Sequence, residues 1–278
     1  MIKRSRTSFA KRPRRKLPDL VLAVVLVLMG GTAAWVVLHK SASPVRAKER
    51  DARKPAPPPP VAICIDDMGY GSEVVEWFEK NRYTLNAAVL PGLPATAGTA
   101  RRLREAGVEV LCHLPMQPAD YPAHNPGPGA ILLGTAEDDL KKRVREAFES
   151  VPGLSGFNNH MGSAVTAERL YMRWIFDVAK EKGLYFLDSR TTAATVAEEV
   201  GREKGVKVLH RRVFLDDIPQ AQYIRKKLDE TYDLALSQGF AVAIAHPHPE
   251  TLKALAAQLP AFSRRVKLVH LSALPPPQ

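Results

Sequence analysis

From Val61 onward, short apolar runs rich in Val, Ile, Leu and aromatic residues alternate with longer stretches whose apolar positions recur every three or four residues. The first pattern predicts strands and the second amphipathic helices. Strands are predicted at Val61–Ile65, Leu85–Val89, Val108–Cys112, Ser155–Asn158, Tyr185–Leu187, Lys207–His210 and Ala241–Ala245, with a weaker one at Val266–His270. Between them the periodicity predicts helices over Glu73–Asn81, Thr96–Ala106, Glu137–Ser150, Ala167–Lys182, Thr195–Gly205, Ile218–Gln238 and Pro249–Ala261. Gly107, Gly183, Gly205 and Gly239 stand where several of these helices end, a position that favours left-handed backbone. Strands that alternate with helices argue for βαβ units and a parallel sheet. Seven or eight such units favour a barrel over an open doubly wound sheet. The segment after the first strand, DDMGYGS, is not a glycine-rich phosphate loop of the Rossmann or P-loop type.

The pattern before Val61 is different. Leu20 to Leu38 is a run of 19 residues without a charge. As a helix it spans roughly 28 Å, close to the hydrocarbon thickness of a bilayer. Eight cations precede it, and the positive-inside rule then places residues 1–19 in the cytoplasm and everything after Leu38 across the membrane. We read 20–38 as a transmembrane signal anchor of a single-pass bacterial inner-membrane protein, with the C-terminal domain periplasmic. A cleaved signal peptide is the second reading: the run is longer than such regions usually are, and Pro44 disfavours cleavage after Ser41-Ala42-Ser43. A buried core helix is the third. Residues 39–60 end in APPPP and read as an extended spacer that could hold the domain, residues 61–278, up to about 60 Å from the bilayer.

Charge sharpens this division. The chain of 278 residues carries a net +11, and residues 1–60 alone hold 14 Lys and Arg against three acids, also +11. Residues 61–278 have 26 basic and 26 acidic side chains, so their composition gives no support for a nucleic-acid partner. Cys64 and Cys112 are the only cysteines and form no disulfide framework; both read as buried thiols.

The candidate chemistry lies at the strand ends. Asp66-Asp67 follow the first predicted strand, His113 the third, Asn159-His160 the fourth, and Asp188-Ser189-Arg190 the fifth. Arg211-Arg212 and then Asp216-Asp217 follow the sixth, and His246 and His248 the seventh. In a β/α barrel those ends form one mouth, where active sites sit. Each element alone has a plainer explanation: Asp-Asp as a solvated turn, His-Pro-His-Pro as a proline-rich turn. Their shared position favours a site. Asp and His from separate loops suit zinc or another divalent metal, which polarises carbonyls and lowers the pKa of water. The chain has no G-x-S-x-G nucleophile elbow and no H-E-x-x-H helix.

These motifs resemble a known family. Ile65-Asp66-Asp67-Met68-Gly69, His113-Leu114-Pro115-Met116-Gln117-Pro118, Asn158-Asn159-His160-Met161-Gly162-Ser163, Leu187-Asp188-Ser189-Arg190-Thr191, Phe214-Leu215-Asp216 and His246-Pro247-His248-Pro249-Glu250-Thr251 occur in the order seen in divergent polysaccharide deacetylases. That family is a branch of the NodB-like carbohydrate esterases. The resemblance implies a distorted (β/α)7-type barrel, a divalent metal such as zinc, and removal of an N-acetyl group from a cell-envelope glycan. It makes Asp66 the catalytic base, Asp67 and His113 metal ligands, and His246 the general acid. The family's second motif normally supplies two histidines, and here the second is Gln117. His160 is therefore the candidate third ligand, with a tight-turn role as its alternative. Asn159, Asp188, Arg190, Asp216 and His248 are candidates for substrate binding or for support of the ligands, and a structural role for Asp188 stands beside a catalytic one. Two other classes of function stay open: a non-catalytic glycan-binding or envelope-partner-binding protein on the same barrel, and a tethered scaffold that uses the Pro126–Gly134 region.

Overall fold

The computed structural model describes residues 57–276. The expected cytoplasmic tail, the apolar span and the spacer up to residue 56 lie outside the described residues. Among the described residues no helix is long and apolar enough to cross a membrane.

The order of elements is β1 (Pro60–Met68), α1 (Glu73–Asn81), β2 (Asn86–Val89), α2 (Thr96–Glu105), β3 (Glu109–Met116), α3 (Glu137–Ser150), β4 (Gly156–Met161), α4 (Arg169–Glu181) and β5 (Tyr185–Asp188). There follow α5 (Ala197–Lys204), β6 (Val208–His210), β7 (Val213–Phe214), α6 (Ala221–Gln238), β8 (Ala241–Ala245), α7 (Pro249–Phe262) and β9 (Lys267–Leu268). The expected alternation is present, and β7 is an extra two-residue strand that no periodicity announces. Four strands also run further than expected, β5 by the single residue Asp188. β1, β3 and β4 carry Asp66-Asp67, His113 and Asn159-His160 within the strands rather than in the loops after them.

All the strands pair in parallel, in the order β6-β5-β4-β3-β2-β1-β8-β7, with β9 on the start of β1. The first and last strands of that order are neighbours in the chain. Only Arg211 and Arg212 separate β6 from β7, and such a link reaches roughly 10 Å at most. The sheet must therefore curl until its two ends face each other. Successive amides of the link bind the two sides: Arg211 donates to Asp188 O on β5 at 3.0 Å, and Arg212 to Val242 O on β8 at 2.8 Å. The ends meet at a seam closed by this link and not by a ladder between β6 and β7.

Alternation along the strands divides the core. On β1, Val61, Ile63 and Ile65 point to the helical layer, where Phe148, Phe157, Phe176 and Phe186 are fully buried. Ala62 and Cys64 point to the inside of the curl with Ala88, Leu111, Tyr185, Leu187, Leu209, Val242 and Ile244. α4 shows why the helices pack as they do: Met172, Ile175, Phe176 and Ala179 recur at three- and four-residue spacing and are buried. Phe176 lies edge-on to Phe186 at 5.4 Å, and truncating one such ring costs about 3–5 kcal/mol. The lower end of the curl is plugged by the chain after β9. Leu271 and Leu274 enter the inner core, Leu271 N donates to Asn86 Oδ1 at 2.9 Å, and Ser272 N to Glu109 Oε2 at 3.0 Å.

Candidate functional site

The same period of two that buries Ala62 and Cys64 carries polar residues upward on the inner face. Cys64 is followed by Asp66, Leu111 by His113, Gly156 by Asn158 and His160, and Ile244 by His246. The apolar bottom of the curl thus becomes a polar mouth without any change of strand direction.

Asp67 alone breaks the alternation, since regular pleating would aim it at the helices. Its φ of 55° and the register shift between Ile65 and Met68 turn it back into the mouth. Aspartate tolerates this left-handed backbone better than most residues. Met161 and Arg190, at the ends of β4 and β5, adopt φ of 55° and 51°. Behind Met161, Gly162 has φ +87°, and a Cβ there would stand 2.9 Å from Met116 Cβ.

Asp67, His113 and His160 converge. Asp67 Oδ1 is 3.0 Å from His113 Nε2 and 2.9 Å from His160 Nδ1, and the two ring nitrogens are 3.1 Å apart. Ligand atoms about 2.0–2.1 Å from one tetrahedral zinc keep about 3.3 Å between one another. Asp67 Oδ1 is buried and has no hydrogen bond of acceptable geometry despite these close neighbours. A buried carboxylate oxygen that faces two imidazole nitrogens at this spacing is a donor set suited to a divalent cation. The expected ligand trio is brought together. The expected alternative, a turn role for His160, does not account for its approach to Asp67.

Asp66 lies beside this triangle, 2% exposed. Its Oδ2 is 3.9 Å from His113 Nε2, and both of its oxygens accept Asn158 Nδ2 at 2.9 Å. Cys64 Sγ donates to Asp66 Oδ1 at 3.4 Å. Burial raises the Asp66 carboxyl above its ordinary value, although His113 and His246 pull the other way. Burial would raise Asp67 too, but His113 and His160 hold it well below the carboxylate range. His113 feels burial as a lowering force, and the charge of Asp66, the close Asp67 carboxylate and the Asn158 bond outweigh it, raising the metal-free imidazole to about 9.

His246 stands across the mouth, with Nε2 3.9 Å from Asp67 Oδ2. Asp216, in the loop after β7, fixes it. Asp216 Oδ2 accepts His246 N at 2.7 Å and Thr251 Oγ1 at 3.0 Å, and Oδ1 lies 3.3 Å from His246 Nδ1. Burial would lower His246, but the Asp216 bond and the charges of Asp66, Asp216 and Asp67 keep it above the ordinary histidine value. His248 is exposed at the start of α7, its ring 5.9 Å from that of His246. Asp216, His246 and His248 form a second group with ligand-like spacing. The Asp216 hydrogen bonds to His246 and Thr251 account for that arrangement without an ion.

Other candidates serve the scaffold. Asn159 donates to Met161 O at 2.6 Å and accepts Ser189 N at 2.9 Å, bracing β4 against the loop after β5. Asp188 is fully buried and one residue out of phase with Leu187. It accepts Arg190 N at 2.7 Å and Thr195 Oγ1 at 2.8 Å, so it holds the β5–α5 loop rather than joining the triangle. The backbone carbonyl of Arg190 accepts Arg211 Nη2 at 3.0 Å. Gln117, where the family pattern has histidine, turns to the long β3–α3 connection and accepts Leu133 N at 2.9 Å. That connection, which includes the Pro126–Gly134 region, is pinned by buried Ile131, whose carbonyl accepts Gln117 N at 2.9 Å.

The sequence places Arg211 at the rim without a role, and does not single out Asn158 as a site residue. Arg211 Nε donates to Ser189 O at 2.6 Å, and its guanidinium lies 5.0 Å from the Phe214 ring, itself 4.9 Å from His246. Counting in twos from Leu111 and Gly156 would have found Asn158, because that count alone puts it on the face of His113.

Comparisons with known proteins find relatives of this chain. An uncharacterized protein of Haemophilus influenzae is 34% identical over 215 residues, 77% of this chain and 76% of the relative. The uncharacterized protein YibQ of Escherichia coli K12 is 34% identical over 215 residues, 77% of this chain and 66% of the relative. The crystal structure of an uncharacterized protein of Agrobacterium tumefaciens C58 is similar with a TM-score of 0.73 and 24% identity, covering 80% of this chain and 91% of that one, a likeness of fold. The family model described as divergent polysaccharide deacetylase matches residues 63–275, and with the motifs now placed around one mouth the chain belongs to that family.

Proposed function

We propose that the protein is a metal-dependent deacetylase that removes N-acetyl groups from a glycan of the cell envelope. The observation that carries this reading is the triangle of Asp67 Oδ1, His113 Nε2 and His160 Nδ1, flanked by Asp66 on one side and His246 on the other. Those three residues would hold a divalent ion, zinc by the chemistry of one carboxylate and two imidazoles. When bound, that ion supplies polarisation of the acetyl carbonyl and a lowered pKa for water.

The remaining work belongs to side chains. Asp66, whose burial raises its proton affinity, takes the proton from the attacking water. His246, kept protonated to higher pH by Asp216, delivers a proton to the departing sugar amine. Asp216 holds the His246 ring through its Nδ1 side, which leaves Nε2 toward the mouth. Water attack, cleavage of the C–N bond and protonation of the amine yield acetate and a free amino sugar.

The basic tail, the apolar run of residues 20–38 and the proline-rich spacer support a placement of the domain outside the cytoplasmic membrane, tethered to it. The competing reading of a non-catalytic glycan-binding protein draws on Gln117. His160 weakens it by standing beside Asp67, where a second motif histidine is not needed. The test uses the full-length protein, titrated with zinc and assayed for acetate release from N-acetylated oligosaccharides. We expect one zinc per chain and acetate release that disappears in Asp66→Asn. A protein that takes up no zinc and releases no acetate, yet binds glycan equally well as Asp67→Ala, would overturn the proposal.

A further inference from the structure

Resting on that reading, we infer that Asn158 is a positioning residue that serves the proposed base and a proposed metal ligand at once, so that one amide ties the two halves of the site together. Asn158 is fully buried on the inner face of β4. Its side chain faces Asp66 on one side and His113 on the other. Nδ2 reaches both Asp66 oxygens at 2.9 Å, and Oδ1 is 2.7 Å from His113 Nδ1.

This geometry has one consistent assignment. An ionised carboxylate only accepts, so the amide nitrogen must face Asp66. The amide oxygen then faces His113 Nδ1, and a short contact there requires Nδ1 to carry the proton. In the neutral ring His113 Nε2 is then left with its lone pair, aimed at Asp67 and His160. The tautomer that can ligate a metal is thus set by Asn158 and, through it, by Asp66. The tie also runs in the other direction. Charge drawn from His113 at Nε2 strengthens its Nδ1–H bond to Asn158 Oδ1, which polarises the amide and strengthens donation from Nδ2 to Asp66. Outer partners of ligating histidines typically change metal affinity or activity by 10–100-fold when removed. Asn158 differs from a simple outer partner because its second hand holds the base.

Two variants separate the two hands. Asn158→Ala removes both. Asn158→Asp keeps an acceptor for His113 Nδ1–H but replaces the donor to Asp66 with a carboxylate. Full-length wild-type and variant proteins are titrated with zinc by calorimetry, assayed for acetate release, and checked by thermal melting. The expected result is a zinc Kd raised about 10–100-fold in Asn158→Ala. Asn158→Asp should keep zinc affinity within a few-fold of wild type and lose kcat by at least tenfold. Failure of Asn158→Ala to fold leaves Asn158→Asp as the deciding variant, because its metal and kcat readouts must part. Wild-type kcat in Asn158→Asp, or parallel loss of zinc affinity and kcat in it, overturns the inference while leaving the zinc site intact. A wild-type protein that takes up no zinc overturns the site reading, and this inference with it.

Discussion

Replacing Asp216 separates its two duties, holding the chain and holding a proton on His246. Its carboxylate is buried and accepts His246 N at 2.7 Å and Thr251 Oγ1 at 3.0 Å, besides facing His246 Nδ1 at 3.3 Å. Asp216→Ala leaves the first two donors buried without an acceptor. At about 1–3 kcal/mol for each orphaned group, the loss is about 2–6 kcal/mol. For a domain of this size, each kcal/mol lowers Tm by about 2–4 °C. Asp216→Asn is gentler on the fold, because its amide oxygen can still accept His246 N and Thr251 Oγ1. Its NH₂ would then face His246 Nδ1, which must present a lone pair, and protonation of the ring becomes unfavourable. His246 sits above its ordinary value because Asp216 overcomes burial. Without the carboxylate the imidazole falls, and the alkaline limb of the pH–rate profile moves to lower pH. General acid catalysis contributes about 10²–10⁴-fold, so kcat of Asp216→Asn should drop within that range while its Tm stays close to wild type. Calorimetric melting and acetate release across pH, on full-length zinc-loaded protein, measure both effects. An unchanged pH profile in Asp216→Asn, or equal destabilisation by Asn and Ala, would refute the division of duties.

Three further outcomes follow from the geometry. His160→Ala should weaken zinc binding by more than the 10–100-fold typical of outer partners, with Tm of the metal-free protein little changed; equal zinc affinity would show that the corner is filled otherwise. In the metal-free protein His113 is raised from 6.5 to about 9, so its stabilisation is fully present below about pH 6.5 and lost as pH climbs through about 9. Zinc must displace that proton, and its affinity should rise by up to about tenfold per pH unit across this window, which calorimetry in buffers of different ionisation enthalpy detects. Gln117→His should not tighten zinc binding, because Gln117 braces Leu133 N and the triangle already has three donors; it should instead cost about 1 kcal/mol of stability from the lost bond.

How far the sequence could be read depended on which physical signal carried each feature. Val61–Ile65 and Ala241–Ala245 are bounded by composition, and the strands stand where their β-branched runs predict. Polarity at Asp66, His113 and Asn159 predicts that β1, β3 and β4 end there. The backbone continues to pair there, since the inner face becomes the mouth. Val213–Phe214 is too short to show a period, so neither β7 nor the seam is visible before the pairing is known. Asp66, Asp67, His113, His160 and His246 are legible as candidates by position and by family motif. Asp188 belongs to the outer face, a difference of one residue that only the parity set by Leu187 reveals. Asn158 was hidden for the opposite reason: a neutral amide in a strand announces no chemistry until its two neighbours are seen.

The seam gives the curled sheet one joint that no ladder bridges: the amides of Arg211 and Arg212 bind β5 and β8 in turn, and Leu209 shares the inner core with Val242 and Ile244. β6 and β7 run in series in one direction across a two-residue link and share no ladder, whereas every other neighbouring pair would have to give up ladder bonds in order to separate. Amides along β6 that face this joint should exchange with deuterium well before those of β1, which has partners on both sides. The seam lies beside Phe214, whose ring is 4.9 Å from that of His246, so any motion of the seam reaches the mouth at that point.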